Sequence, residues 1–512
     1  MSNKTSHHLF ELIHSLNKSE KRYFKLYASR HTIGEQNNYI TLFDYIANQK
    51  EYNEKKLFKK FKNSSFLNQF STTKSRLYQL ILKSLDLFHS SNSIEAQINT
   101  TIHSAEILFN KGLYTQSEKL YKQAEKQAKK HQKFAVLLEI KNKQKKLYEK
   151  EMYCHLNKNK IVTLYEQEKQ LIRHLKDYSF LWHIKSLLLI KINEIGEIRT
   201  TNDLKELEQI ISKAKSIEIT TCPLKVKQLY HHLFSMYFAT IKAYQSSYFH
   251  LKENLQIFSK NSLHIQHRFN AYISVLTNLV FVCTKIKYYQ EANDHINTLN
   301  SIPQLKFYDS STDLKVKYLS NKFSLELFLH IEQNNYAKAK KLIPKISEFL
   351  SQYNLQINPI RKSYLDFKIA TVYLVQDKYS DALHWINLIL NNKALDKRQD
   401  LYSFAKIIHL IIHYELKNYT YLTYALNATK RYLKNKERVY KFESIFLKAI
   451  SKISKDNVNQ FDIEEILLPY LNALKALKQN KFEESAFDYF DFYTWLKSKA
   501  NGKSYIDLKI AG

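Results

Sequence analysis

Lys111–Gly112–Leu113–Tyr114–Thr115–Gln116–Ser117 decides the fold: a polar turn holding a glycine, an aromatic residue, and a small residue three positions later. The order returns at Lys287–Tyr288–Tyr289–Gln290–Glu291–Ala292, Asn334–Asn335–Tyr336–Ala337–Lys338–Ala339 and Asp377–Lys378–Tyr379–Ser380–Asp381–Ala382. Weaker copies stand at Tyr248–Phe249–His250–Leu251, Tyr419–Thr420–Tyr421–Leu422 and Phe482–Glu483–Glu484–Ser485. Most neighbouring copies lie about 40–47 residues apart. Between Ser117 and Leu251 there is room for two more degenerate units, near Leu164 and Leu207. The pattern has a packing logic. Two antiparallel helices on a short turn need a small side chain where their axes come closest, which Ser117, Ala292, Ala339 and Ala382 supply. The aromatics Tyr114, Tyr289, Tyr336 and Tyr379 cover the turns, and Tyr121 and Ile386 wedge against the next unit. One hairpin cannot bury both faces, so such units stack.

The rest of the chain reads the same way. In the segment beginning at Ser71, residues Leu77, Leu80, Ile81, Ser84, Leu85 and Phe88 recur at helical spacing, with Arg76, Gln79, Lys83 and Asp86 opposite. No stretch alternates as a strand does. Only five glycines and five prolines occur in 512 residues. That scarcity argues against a turn-rich sheet protein. It also excludes a Gly-rich phosphate loop or dinucleotide fingerprint, which need glycine for close backbone approach.

These residues resemble the tetratricopeptide repeat. Ser117, Tyr121 and Ala124 match its small, aromatic and small positions, Gly112 and Tyr114 its turn, and Ala370 and Ala382 the small residues on both helices of a later unit. The resemblance covers residues 96–512. It implies an all-α, right-handed superhelical solenoid of stacked antiparallel helix pairs, with units longer than the usual 34 residues. Residues 1–95 lack the repeat. Short helices near 6–16, 19–30, 37–49 and 53–62 are expected before the long one, as an N-terminal cap or a small helical domain. The stretches Leu16–Leu26 and Phe70–Lys74 also make the whole chain similar to uncharacterised repeat proteins of Bacteroidetes bacteria, a resemblance that implies no activity.

The formal net charge is +31. Lysine supplies nearly all of it, whereas nucleic-acid surfaces favour arginine for bidentate recognition. Residues 1–100 carry about their proportional share, so no domain concentrates it. A solvated basic surface is the favoured reading. The rival is a transcriptional regulator in which Asn53–Lys62 and Ser71–Ser90 form a helix-turn-helix, with Lys74, Arg76 and Gln79 facing DNA. Three scattered cysteines and the lack of a leader or membrane-length apolar run point to the cytoplasm.

Chemistry-bearing groups are sparse. His409 and His413 stand at i, i+4, yet Leu410 occupies the position where a zinc protease has glutamate. They read as core or groove histidines, as do His264 and His267. No cysteine has a second at ligand spacing, and Glu464–Glu465 and Glu483–Glu484 point about 100° apart on a helix. The latter pair is explained by a helix dipole. No catalytic, cofactor-binding or metal-ligating residue is expected. The function expected is a non-enzymatic scaffold holding a protein or peptide in its groove. First helices would line that groove, with Tyr272, Lys285, Tyr364 and Tyr373 as its contact residues. Some tetratricopeptide proteins hold peptide C-termini with a lysine–asparagine pair on that helix, of which this chain has no copy.

Overall fold

The computed structural model describes residues 7–30, 37–62, 64–90, 93–154, 156–260, 265, 268–305, 308, 312–354, 356–392, 395, 398–454 and 460–511. Its architecture grows out of one repeated turn. Gly112, Gln132, Lys242, Lys287, Asn334, Asp377 and Lys417 all have left-handed backbone angles. Each stands two residues before a helix opening on an aromatic: Tyr114, Phe134, Tyr244, Tyr289, Tyr336, Tyr379 or Tyr419. The next amide reaches back five residues, as from Leu113 to the Leu108 carbonyl at 3.0 Å, Tyr288 to Cys283 at 2.8 Å and Lys378 to Tyr373 at 3.0 Å. This is the Schellman closure, which satisfies carbonyls left free at a helix end while reversing the chain.

The product is all-helical: among the described residues there is no strand. Tight hairpins follow at Ile94–Asn110 with Tyr114–Lys130, Leu224–Thr240 with Tyr244–Ser259, and Phe269–Lys285 with Tyr289–Ser301. Further along come Thr312–Glu332 with Tyr336–Gln352, Pro359–Val375 with Tyr379–Leu390, Gln399–Glu415 with Tyr419–Asn435, and Lys441–Ile453 with Gln460–Leu477. Small residues sit at the closest approach, and Ser117, Ala339, Ala370, Ala382 and Ile386 are fully buried. Two hairpins add a bond: Ser117 Oγ donates to the Ala105 carbonyl at 2.8 Å, and Ser247 Oγ to that of Ser235 at 2.9 Å.

By contacts the chain divides into two compact units, residues 1–172 and 173–512. The expected boundary after residue 95 lies inside the first. Within that unit the N-terminal helices bury a cluster of their own, running from Leu9 and Phe24 through Phe43 and Leu57 to Leu77 and Ile81. Their bounds, His8–Ser15, Lys18–Ser29, Asn38–Ala47, Glu54–Lys60 and Phe70–Ser90, follow the sequence reading closely. Asn17 and Glu20 close a capping box on the second. Leu164 and Leu207, by contrast, do not mark hairpins. Leu164 lies within one 38-residue helix, Lys158–Ile195, and Leu207 within Thr201–Ser212.

In the second unit the largest core runs from Val316 to Ala500 and includes the aromatic-rich stretch near its end: Tyr489, Phe490, Phe492 and Trp495 are all buried. The stretch around Phe482–Ser485, read as a weak repeat, joins the helix Gln460–Leu477 to a later helix that packs against it. It leads into a short 3₁₀ turn, Glu484–Asp488, and then the helix Phe492–Asn501. No described helix is long and apolar enough to cross a membrane.

Candidate binding chamber of the second unit

First helices of successive hairpins line one cavity of about 470 Å³. Phe281 and Lys285 come from one, Phe328 and Glu332 from the next, and Tyr364, Lys368 and Thr371 from the third. The opposite wall is the chain's own segment Phe487–Asp491, with Tyr505 and Lys509. Cross-wall bonds join the two. Lys242 Nζ lies 2.8 Å from the Asp488 carboxylate, and Lys368 Nζ donates to the Asp488 carbonyl at 3.2 Å. Lys285 pairs with Glu332 at 3.1 Å and sits against the rings of Phe281 and Phe328.

The segment is anchored at two buried points. Asp400, fully buried, accepts two bonds from Arg398 at 2.9 and 2.7 Å and one from the Tyr489 hydroxyl. Burial alone would raise the Asp400 carboxyl; the Arg398 bonds and charge outweigh it and hold it below the usual range. Gly196, at φ +70°, lies so close that a Cβ there would stand 2.1 Å from the Asp400 Cγ. The second anchor is Arg199, which takes Glu443 with both terminal nitrogens at 3.0 Å, Glu483 at 2.8 Å, and stacks on Tyr440. Glu483 also accepts from the amides of Lys441 and Phe442 at 3.0 and 3.1 Å. Glu483 and Glu484 do stand at the start of a short helix, Glu484–Asp488, but Glu483 also caps the start of a different helix, Lys441–Ile453, and is buried there.

Glu197 faces the cavity between these anchors and makes no hydrogen bond to a described residue. Enclosure by protein, then the nearby Asp488 charge, push its carboxyl up to about 7 against the pull of Lys242. An acid so displaced in a cleft marks a candidate binding position. Sequence reading passed over it, since nothing but its neighbour Gly196, one of five glycines, sets the place apart.

Of the four expected groove residues, the cavity gathers Lys285 and Tyr364. Tyr272 instead packs against Phe258 at 5.3 Å, and Tyr373 packs on the large core. Among the packing positions, Gly112 takes the left-handed turn, and Tyr121, Ala124, Ala292 and Tyr336 are buried. Tyr114 opens its helix against Phe109, and the Tyr379 hydroxyl bonds Asp377 at 2.6 Å. Tyr289 departs from expectation: it is 57% exposed and covers little.

His409 and His413 bond each other through Nε2 at 3.1 Å, and burial pushes His409 down to about 4, so both stay neutral near pH 7. His264 and His267 lie outside the described residues. In the N-terminal helices, Lys74 is tied to Glu54 at 3.0 Å, while Arg76 and Gln79 are exposed. One cluster missed in the sequence brings three potential metal donors together: Cys283, Glu291 and His295. Glu291 and His295 share a helix face at i, i+4, and the turn at Lys287 folds Cys283 onto them. No family model matches this sequence, and no curated protein matches it either.

Proposed function

We propose that this chain is a tetratricopeptide-like helical-repeat protein of the kind found as uncharacterised proteins in Bacteroidetes, cytoplasmic and non-enzymatic. Its helix pairs wind into a right-handed superhelix, capped by the N-terminal helices. Its second unit is a scaffold that holds a protein segment against the wall made by its first helices. The observation that carries this reading is that a stretch of polypeptide already lies on that wall. Lys368 takes a backbone carbonyl and Lys242 a carboxylate from the segment Glu484–Asp491. These are the bonds an acidic, aromatic segment would ask of any such surface. Tyr364, 37% exposed, and Lys285 extend the same chemistry beyond the resident segment.

The experiment is a displayed-peptide selection against the full chain, counter-selected with Tyr364→Glu and Lys285→Glu, whose side chains are not in the core. Enrichment of acidic, aromatic peptides that both substitutions weaken at least tenfold is expected. Peptides retained equally by wild type and variants would overturn the assignment of this wall. Tyr373, by contrast, is a poor test position, because a charge there would strike the core.

A further inference from the structure

Cys283 closes the helix Phe269–Lys285 with its thiol fully buried, and His295 is only 8% exposed on the facing helix. Glu291 stands one turn before His295. The Sγ, a carboxylate oxygen and an imidazole nitrogen lie within 4.8 Å of one another. His295 Nε2 is buried and has no hydrogen-bond partner; the nearest carboxylate oxygen, Glu291 Oε1, is 3.4 Å away. Glu291 itself is held by the Tyr248 hydroxyl at 2.6 Å on one oxygen and by the Lys252 ammonium at 2.5 Å on the other.

We infer that Cys283, Glu291 and His295 form a binding site for a divalent transition metal of zinc type, in which the ion takes the place of the Lys252 ammonium. Thiolate, imidazole and carboxylate are the mixed donor set that zinc accepts, three protein ligands leaving a fourth position for water. Tetrahedral donors stand about 3.3–3.8 Å apart, so side-chain rotation within the cluster suffices. The charges also close. With Glu291 ionised, Lys252 protonated, and the thiol and imidazole neutral, the site is neutral. Binding M²⁺ releases the Cys283 proton to water and sends Lys252, 38% exposed, into solvent. The dication with one thiolate and one carboxylate is again neutral. Tyr248, bonded to the non-ligating oxygen, orients the carboxylate from outside.

The test uses cobalt(II) on the full chain carrying Cys154→Ser, which removes the exposed thiol. One equivalent should bind with a thiolate-to-cobalt absorption band and tetrahedral visible bands, and zinc should displace it. Cys283→Ser should abolish the charge-transfer band. His295→Gln should weaken binding at least tenfold. Lys252→Gln, a partly exposed change that spares the fold, should strengthen binding severalfold because the competing ammonium is gone. A missing thiolate band, a band that survives Cys283→Ser, or an affinity that Lys252→Gln leaves unchanged would each overturn the site.

Discussion

Glu197 carries the clearest consequence at the scale of one residue. Its carboxyl is raised from an ordinary 4.5 to about 7 by enclosure and by Asp488. An acid raised on folding contributes fully below its unfolded pKa and loses that contribution as pH climbs through the folded value. Between about pH 4.5 and 7 the folded form therefore holds a proton the unfolded form has shed, and stability falls with rising pH. Glu197→Gln should stabilise the protein by up to about 3 kcal/mol at pH 8 and by almost nothing at pH 4.5. Urea-unfolding midpoints at the two pH values check this, and an equal effect at both would contradict it. Glu125 runs the other way. Lys129, Lys141 and Gln144 overcome its burial and hold it near about 2, so its contribution fades in acid below the ordinary carboxyl range.

At the scale of the element, the left-handed turns are the repeated device, and only Gly112 among the seven is glycine. An L side chain in that region costs about 1 kcal/mol. Lys287→Gly should therefore raise stability by about 0.5–1 kcal/mol, since the Lys287 side chain is exposed. Thermal denaturation reads it, and a loss of stability would mean the lysine contributes something the geometry does not reveal. These turns also explain what could be read beforehand. The pairing of an aromatic with a small residue three positions on is a packing demand, so it marked the hairpins at Tyr114, Tyr289, Tyr336 and Tyr379. A lysine, glutamine or aspartate with positive φ carries no such mark. Hence the turn before Phe134 went unnoticed, and the unit placed at Tyr248 begins one helical turn earlier, at Tyr244. The cavity was half legible for a related reason. Helical spacing indicates which helix face turns inward, as for Lys285 and Tyr364. It cannot say which distant segment arrives to meet that face.

Across the whole molecule, the decisive pairings join positions with no periodic relation. Arg199 meets Glu443 and Glu483 at separations of 244 and 284 residues, with all three side chains buried. Removing the guanidinium strands two buried carboxylates, which typically costs 3–5 kcal/mol. Arg199→Ala should lower the thermal midpoint of the second unit sharply. Arg199→Lys should rescue little, because one ammonium cannot span both acids as the planar fork does. Near-wild-type stability in either variant, measured by calorimetry, would refute this account of the anchor.

The same pairing imposes a delay on synthesis. At roughly 5–20 residues per second, Glu483 leaves the ribosome about 14–57 s after Arg199. Glu443 follows Arg199 by 244 residues, so for most of that interval the guanidinium has neither acid, and for about the last 2–8 s the Glu443 carboxylate is present without the acid that caps Lys441–Ile453. The binding surface waits less long for its resident segment: Asp488 follows Lys368 by 120 residues, so the nascent chain passes about 6–24 s with that wall uncovered.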